Sequence, residues 1–212
     1  MDKLLVMHPF ATNCSERKHV PFFIALIAVG AGIFTSTVLS ALHIEVPWWA
    51  PPLDTMTYYG CLYWLFDRLG WKSKFIRALH ISEMPLLAGR WHGRVTPADA
   101  DGVSRGLATA TDIDVTIEQT WTSLLVRAET TGSVSRSVSA SLMVDAQIAL
   151  SYEYINEPRA SAAVSMHMHR GTGRFVLNGN TVLEGEYYSG RDRQTFGTVR
   201  LERVSGGGTP SS

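Results

Sequence analysis

The sequence predicts an N-terminal α-helical transmembrane hairpin followed by an all-β domain, an antiparallel up-and-down β-barrel of about eight strands. Three observations carry this. The run from Val20 to Leu42 (VPFFIALIAVGAGIFTSTVLSAL) holds no charged residue. From about Pro85 the apolar pattern changes to a period of two, with turn residues between the runs. Asn178-Gly179 then separates two alternating runs, the strongest short hairpin signal a chain offers.

Residues 1–19 read as a cytoplasmic N-terminal tail and 20–75 as two membrane helices, at about 20–42 and 53–71. The first run has the roughly 20 residues that an apolar helix needs to cross a hydrocarbon core of about 30 Å. It exceeds the roughly 7–15 residues of a signal-peptide core, and no small-x-small cleavage site follows it. Gly30, Ala31, Gly32, Ser36 and Ser40 give this helix small residues that allow close helix contact. A loop rich in proline and tryptophan follows, His43 to Asp54, and then the weaker stretch Thr55 to Leu69. Extended from about Pro52 to Trp71 it just crosses, with Tyr58, Tyr59 and Trp71 as interfacial anchors; a helix lying in the interface is the alternative. Lys3, Arg17 and Lys18 precede the first run, and Arg68, Lys72, Lys74 and Arg77 follow the second. The loop between them carries only Glu45 and Asp54, so both termini are expected in the cytoplasm.

Residues 76–84 read as a linker, 85–204 as the barrel and 205–212 as a flexible, glycine- and serine-rich tail. The strand signals are Gly89–Val95, Asp112–Gln119, Thr122–Glu129, Ser133–Met143, Ile148–Asn156, a strand ending Arg174–Leu177, Thr181–Tyr188 and Thr195–Arg203. Closure of such a meander removes its exposed edges, and eight strands leave an interior for packed side chains or one small ligand. An open sandwich is the alternative.

The chain has no net charge, which argues against a nucleic-acid polymer as partner, since that needs a basic face. Its two cysteines, Cys14 and Cys61, build neither a disulfide framework nor a metal site. His167 and His169 share a strand face but lack a third ligand at useful spacing, so no metal is expected. No nucleophile–base order is readable, and the Gly-x-Gly of Gly171 and Gly173 is too weak to be a phosphate loop. The expectation is therefore a protein with no catalytic residues and no cofactor.

What remains is an aromatic and arginine set. Tyr152 and Tyr154 share one strand face, Tyr187 stands on a later strand, and Trp91 follows a glycine in GRWHG, placed to plug a barrel floor or to face a ligand. Arg170 and Arg191 flank strands, with Thr172 beside the first. Flat rings stack nucleobases and guanidinium groups fit phosphate oxygens, so Trp91, Tyr152, Tyr154, Arg170, Thr172, Tyr187 and Arg191 are the candidate ligand-binding residues. As ordinary barrel residues the tyrosines would be core rings and the arginines solvated.

The stretches GRWHGRV, IEQTWTSLLV, LSYEYINEP, HRGTGRFVL and LEGEYYSGRDRQTFGTVRLER, preceded by two spans, resemble the membrane-anchored β-barrel effectors of CBASS anti-phage defence, which are associated with bacterial CD-NTase enzymes. The resemblance implies a receptor for a cyclic di- or trinucleotide made by a cognate CD-NTase. It also implies assembly of the chain with itself among inner-membrane lipid, and disruption of that membrane to kill the infected cell. A membrane-tethered, lipocalin-like carrier of an apolar molecule is the competing function, and a barrel that only recruits a partner is a third.

Overall fold

The computed structural model describes residues 6–45, 47–98, 110–160, 162, 167–190 and 195–204. Arg191 and the tail 205–212 lie outside the described residues. The chain divides into two units: Cys14–Met84, and Met1–Asn13 together with Pro85–Ser212.

The first unit is helical. Helix α1 spans Glu16–Ala41 and α2 spans Ala50–Arg68; a 3-10 turn at Gly70–Lys72 and the short α3, Lys74–Ala78, follow. Val20, Ile24, Ala28 and Gly32 recur every four residues and form the buried stripe of α1, while Phe22, Phe23, Ile27, Ile33 and Phe34 are exposed on its other faces. Gly32 lies against Thr55 of α2, where a Cβ would strike the threonine hydroxyl, and the Thr35 and Tyr58 hydroxyls meet at 2.9 Å. Gly30, by contrast, has open space beside it. Among the described residues α1 is the one helix long and apolar enough to cross a membrane. The second helix begins three residues before its expected start, because Pro51 and Pro52 fit its first turn, where no N–H partner is needed. The expected linker is tied down within this unit: Ser82 Oγ and the Glu83 amide donate to the Glu16 carboxylate at 2.9 and 2.6 Å, and Arg77 donates to the Met84 carbonyl at 2.8 Å.

The second unit is the barrel. Two short strands, β1 (His8–Pro9) and β2 (Ala11–Thr12), precede the helices. After them come β3 (Gly89–Pro97), β4 (Thr111–Gln119), β5 (Ser123–Glu129), β6 (Ser133–Val144), β7 (Ile148–Pro158), β8 (His169–Asn178), β9 (Val182–Ser189) and β10 (Phe196–Arg203). Each of β3 to β10 pairs antiparallel with the next, and β10 returns to β3 from Gly197↔Pro97 to Arg203↔Trp91. This is the expected eight-stranded up-and-down closure, and not an open sandwich.

One part of the wall lies outside the sequence reading. Strands β5 and β6 pair at only three positions, Arg127↔Arg136, Ala128↔Ser135 and Glu129↔Val134. Beyond these they separate, and residues 8–12 fill the gap: β1 pairs antiparallel with β5, and β2 parallel with β6. Phe10, between the two short strands, is buried. The expected N-terminal tail is thus partly barrel wall, since an exposed β edge is satisfied by whatever strand reaches it.

One end of the barrel is packed solid. Trp91, Trp121, Leu124, Leu142, Leu150, Leu183 and Leu201 are all at most 1% exposed. Buried Gln119 clamps the segment leading into β3: its Oε1 accepts from the Leu87 and Ala88 amides at 2.8 and 3.2 Å, and its Nε2 donates to the Pro85 carbonyl at 3.0 Å. Trp91 Nε1 donates to the Leu87 carbonyl at 3.0 Å, and the Arg203 guanidinium lies 4.2 Å from the Trp91 ring. Arg203 also donates to the carbonyls of Ala88 and Leu86, and its pKa is lowered by burial.

Candidate functional site

The other end of the barrel is open. A cavity of about 330 Å³ lies between the C-terminal ends of β3, β7 and β9 and the facing ends of β4, β8 and β10. That is at the low end of the roughly 300–1,000 Å³ of small-molecule pockets. Its wall is aromatic on one side, with Tyr152, Tyr154, Phe175 and Tyr187. Its other lining mixes apolar Val95, Pro97, Ile113, Ala128 and Val199 with polar Thr130, Ser133 and Ser135 from the β5–β6 hairpin, Asn156, His169 and Thr195.

The cavity exists because each tyrosine faces a glycine on the neighbouring strand. The register sets Tyr152 opposite Gly173, Tyr154 opposite Gly171 and Tyr187 opposite Gly197. With no side chain beneath them, the rings lie close over the neighbouring backbone. A Cβ at Gly173 would come within 2.7 Å of the Tyr152 ring, and one at Gly197 within 2.9 Å of Tyr187; one at Gly171 would overlap Tyr154. The Tyr152 ring centroid lies 6.0 Å from that of Tyr154 and 5.4 Å from that of Phe175, distances typical of attractive aromatic pairs. Gly171 and Gly173 therefore have a packing role and do not form a phosphate loop, and the alternating pattern Tyr-x-Tyr against Gly-x-Gly was the signal for it.

The electrostatics are those of a neutral box. Burial, and secondarily Tyr154, raises the Tyr152 phenol well above its ordinary value, so it stays protonated and available as a donor. Among the described lining residues there is no Lys, Arg, Asp or Glu. The hairpin that caps one side is fixed by Thr130, whose Oγ1 accepts from the Gly132 and Ser133 amides at 3.3 and 3.1 Å. Opposite, Ser189 and Thr195 brace the ends of β9 and β10 through Oγ–Oγ1 contact at 2.6 Å and a Thr195 N–H to Ser189 Oγ bond at 2.8 Å. His169 Nδ1 lies 3.0 Å from the His167 carbonyl, and among the described residues no group of three or more His, Cys, Asp or Glu is placed to hold a metal.

Of the residues named from sequence, Tyr152, Tyr154 and Tyr187 come together here. Trp91 does not: it is core at the packed end, held by Leu87 and Arg203. Arg170 and Thr172 do not reach the mouth either. They alternate with inward-facing Gly171 and Gly173, so a period of two turns both to the outer wall. There Arg170 pairs with Glu153 at 3.5 Å, and Thr172 lines an external depression of about 500 Å³ with Arg174 and Glu186. Arg191 lies outside the described residues. Sequence reasoning missed Phe175, Asn156, His169 and the Thr130–Ser135 hairpin, because Asn156 and His169 sit at strand ends and the hairpin looks like any other turn.

Two family models match the chain. One, described as Cap15, TM helices, covers residues 18–72, and the other, Cap15, cyclic dinucleotide receptor domain, covers residues 82–203. A curated relative, the CD-NTase-associated protein 15 of Yersinia aleksiciae, is 30% identical over 151 residues, which is 69% of this chain and 67% of that protein.

Proposed function

Because this chain belongs to the Cap15 family, with a TM-helix segment and a cyclic dinucleotide receptor domain, we propose that its barrel mouth binds a cyclic dinucleotide made by a cognate CD-NTase. The observation that carries this is the set of three tyrosine rings laid over three glycines around one cavity. Such rings offer flat faces to bases, each worth about 1–3 kcal/mol by alanine substitution.

In this reading the phosphates are held by hydroxyls, amides and His169. The Thr130–Ser133 hairpin, Asn156 and Thr195 supply such donors. Acting as a receptor with no catalytic step, the barrel shifts the self-assembly of the chain only as far as the ligand prefers the assembled state. Clustered α1–α2 hairpins in the bacterial inner membrane then disrupt it and end the infection with the cell. Both termini face the cytoplasm in this reading, with α2 crossing alongside α1.

The apolar part of the lining, Val95, Pro97, Ile113, Ala128 and Val199, favours a second reading, a carrier of an apolar molecule. Titrating the full chain in detergent with cyclic di- and trinucleotides and with fatty acids separates the two. Saturable binding of one cyclic dinucleotide, weakened by Tyr152→Ala, supports the receptor; silence to every nucleotide with uptake of fatty acid supports the carrier.

A further inference from the structure

We propose that the gap between β5 and β6 is a strand-accepting site, closed in cis by His8–Asn13 and able to take the same segment from a second copy of this chain. The inference stands on the barrel wall alone and does not depend on which ligand enters the mouth.

The ladder between β5 and β6 stops at Arg127↔Arg136. At the next step a side chain replaces the backbone: the Val126 amide donates to Ser137 Oγ at 2.9 Å, and the same hydroxyl meets His8 Nε2 at 2.7 Å. Ser137 is buried and sits at a register shift in the β6–β7 ladder, so the divergence of β6 from β5 is built into the strand. Below it each strand has an edge. His8–Pro9 satisfies the edge of β5 and Ala11–Thr12 that of β6, with Phe10 turned into the core where the segment changes partners. Asn13 ends the insertion: its side chain donates to the Val144 carbonyl and the Asp145 carboxylate at 3.2 and 2.8 Å, and accepts from the Val144 amide at 2.8 Å.

Two features make this occupant exchangeable. Its pairing with each strand is two residues long, and Pro9 brings no N–H to the ladder, so release costs few backbone bonds. A vacated seam would present two open β edges and a pocket shaped for a phenylalanine, for which the matching peptide is the same segment of another copy. Exchange replaces each contact by an identical one, the usual low-cost route to domain-swapped assembly. Only Cys14 and Ser15 separate Asn13 from α1, and short connections favour exchange over refolding in place. Copies confined to one bilayer also meet at raised effective concentration.

The test uses the full chain in detergent, in a Cys14→Ser, Cys61→Ser background. Pro9 and Ser123 are direct partners across the seam, and such antiparallel pairs stand at about 4.5–5.5 Å between Cα atoms, within reach of a disulfide. A chain carrying both Pro9→Cys and Ser123→Cys is expected to close within itself on oxidation. Mixing chains that carry one substitution each is expected to yield a covalent dimer. That dimer should fall several-fold with excess peptide of residues 6–13, and should be absent when Ser123→Cys is replaced by Arg170→Cys on the outer wall. No dimer from the mixture, with full closure in the double variant, would fix the segment in cis and overturn the exchange. A dimer indifferent to the peptide would report random collision and overturn it equally, and failure of the double variant to close would overturn the seam assignment itself.

Discussion

Direction decides function at the level of single residues. Arg170 and Tyr154 lie on paired strands, yet one faces solvent and the other the cavity, so their substitutions should behave oppositely. Arg170→Ala removes an exposed ion pair, and pairs of that kind contribute about 0–1 kcal/mol, so stability and nucleotide affinity should be unchanged by calorimetry. Gly173→Val adds a side chain where the Tyr152 ring lies 2.7 Å from a Cβ position. The ring must move into the lumen, so affinity should fall sharply while overpacking lowers stability by about 1–3 kcal/mol. Tyr152 also gives the barrel an alkaline limit. Its folded-state pKa is raised above the ordinary 10.0, so the unfolded chain loses this proton first. Its contribution is therefore whole below about pH 10 and declines as pH rises past that value. Urea unfolding at stepped pH should show that decline, and Tyr152→Phe should reduce it.

Two side chains anchor segments that the backbone ladders hold by few bonds or none. Gln119, at the end of β4, satisfies two amides and one carbonyl of the segment before β3. Gln119→Leu keeps the volume but leaves those buried groups unpaired, at about 1–3 kcal/mol each, so thermal unfolding should drop far more than for an exposed substitution. Phe10 is the corresponding anchor of the β1–β2 insertion. Phe10→Ala should cost about 3–5 kcal/mol, read by chemical denaturation, although the residue lies before α1 in a stretch that the sequence marks only as a tail. A soluble barrel made by deleting everything before Pro85 would lose this insertion, so it should be less stable than one that keeps residues 6–13.

The whole molecule joins a barrel that reads a ligand to a helical pair packed through small residues. Gly32→Leu places a side chain where Thr55 already lies and so forces α1 from α2. Nucleotide affinity should be unaffected, while dye release from vesicles carrying the full chain should be lost; loss of both would contradict the division of labour. Much of this organisation was legible in advance, because period and turn chemistry are local. Strand alternation from Gly89 to Arg203, the Asn178-Gly179 turn and the uncharged run from Val20 located β3 to β7, the end of β8, β9, β10 and the first helix within a few residues. Aromatic and glycine positions in β7 and β8 were equally visible, but their meeting depends on register, which no short stretch encodes. The outward turn of Arg170, the sealing of Trp91 at the packed end and the passage of residues 8–13 between β5 and β6 were decided by closure of the barrel alone. Closure brings together residues more than a hundred positions apart, such as His8 and Ser137, and satisfies whichever edge the ladder leaves open; local pattern can specify a strand, but not the neighbour it will find.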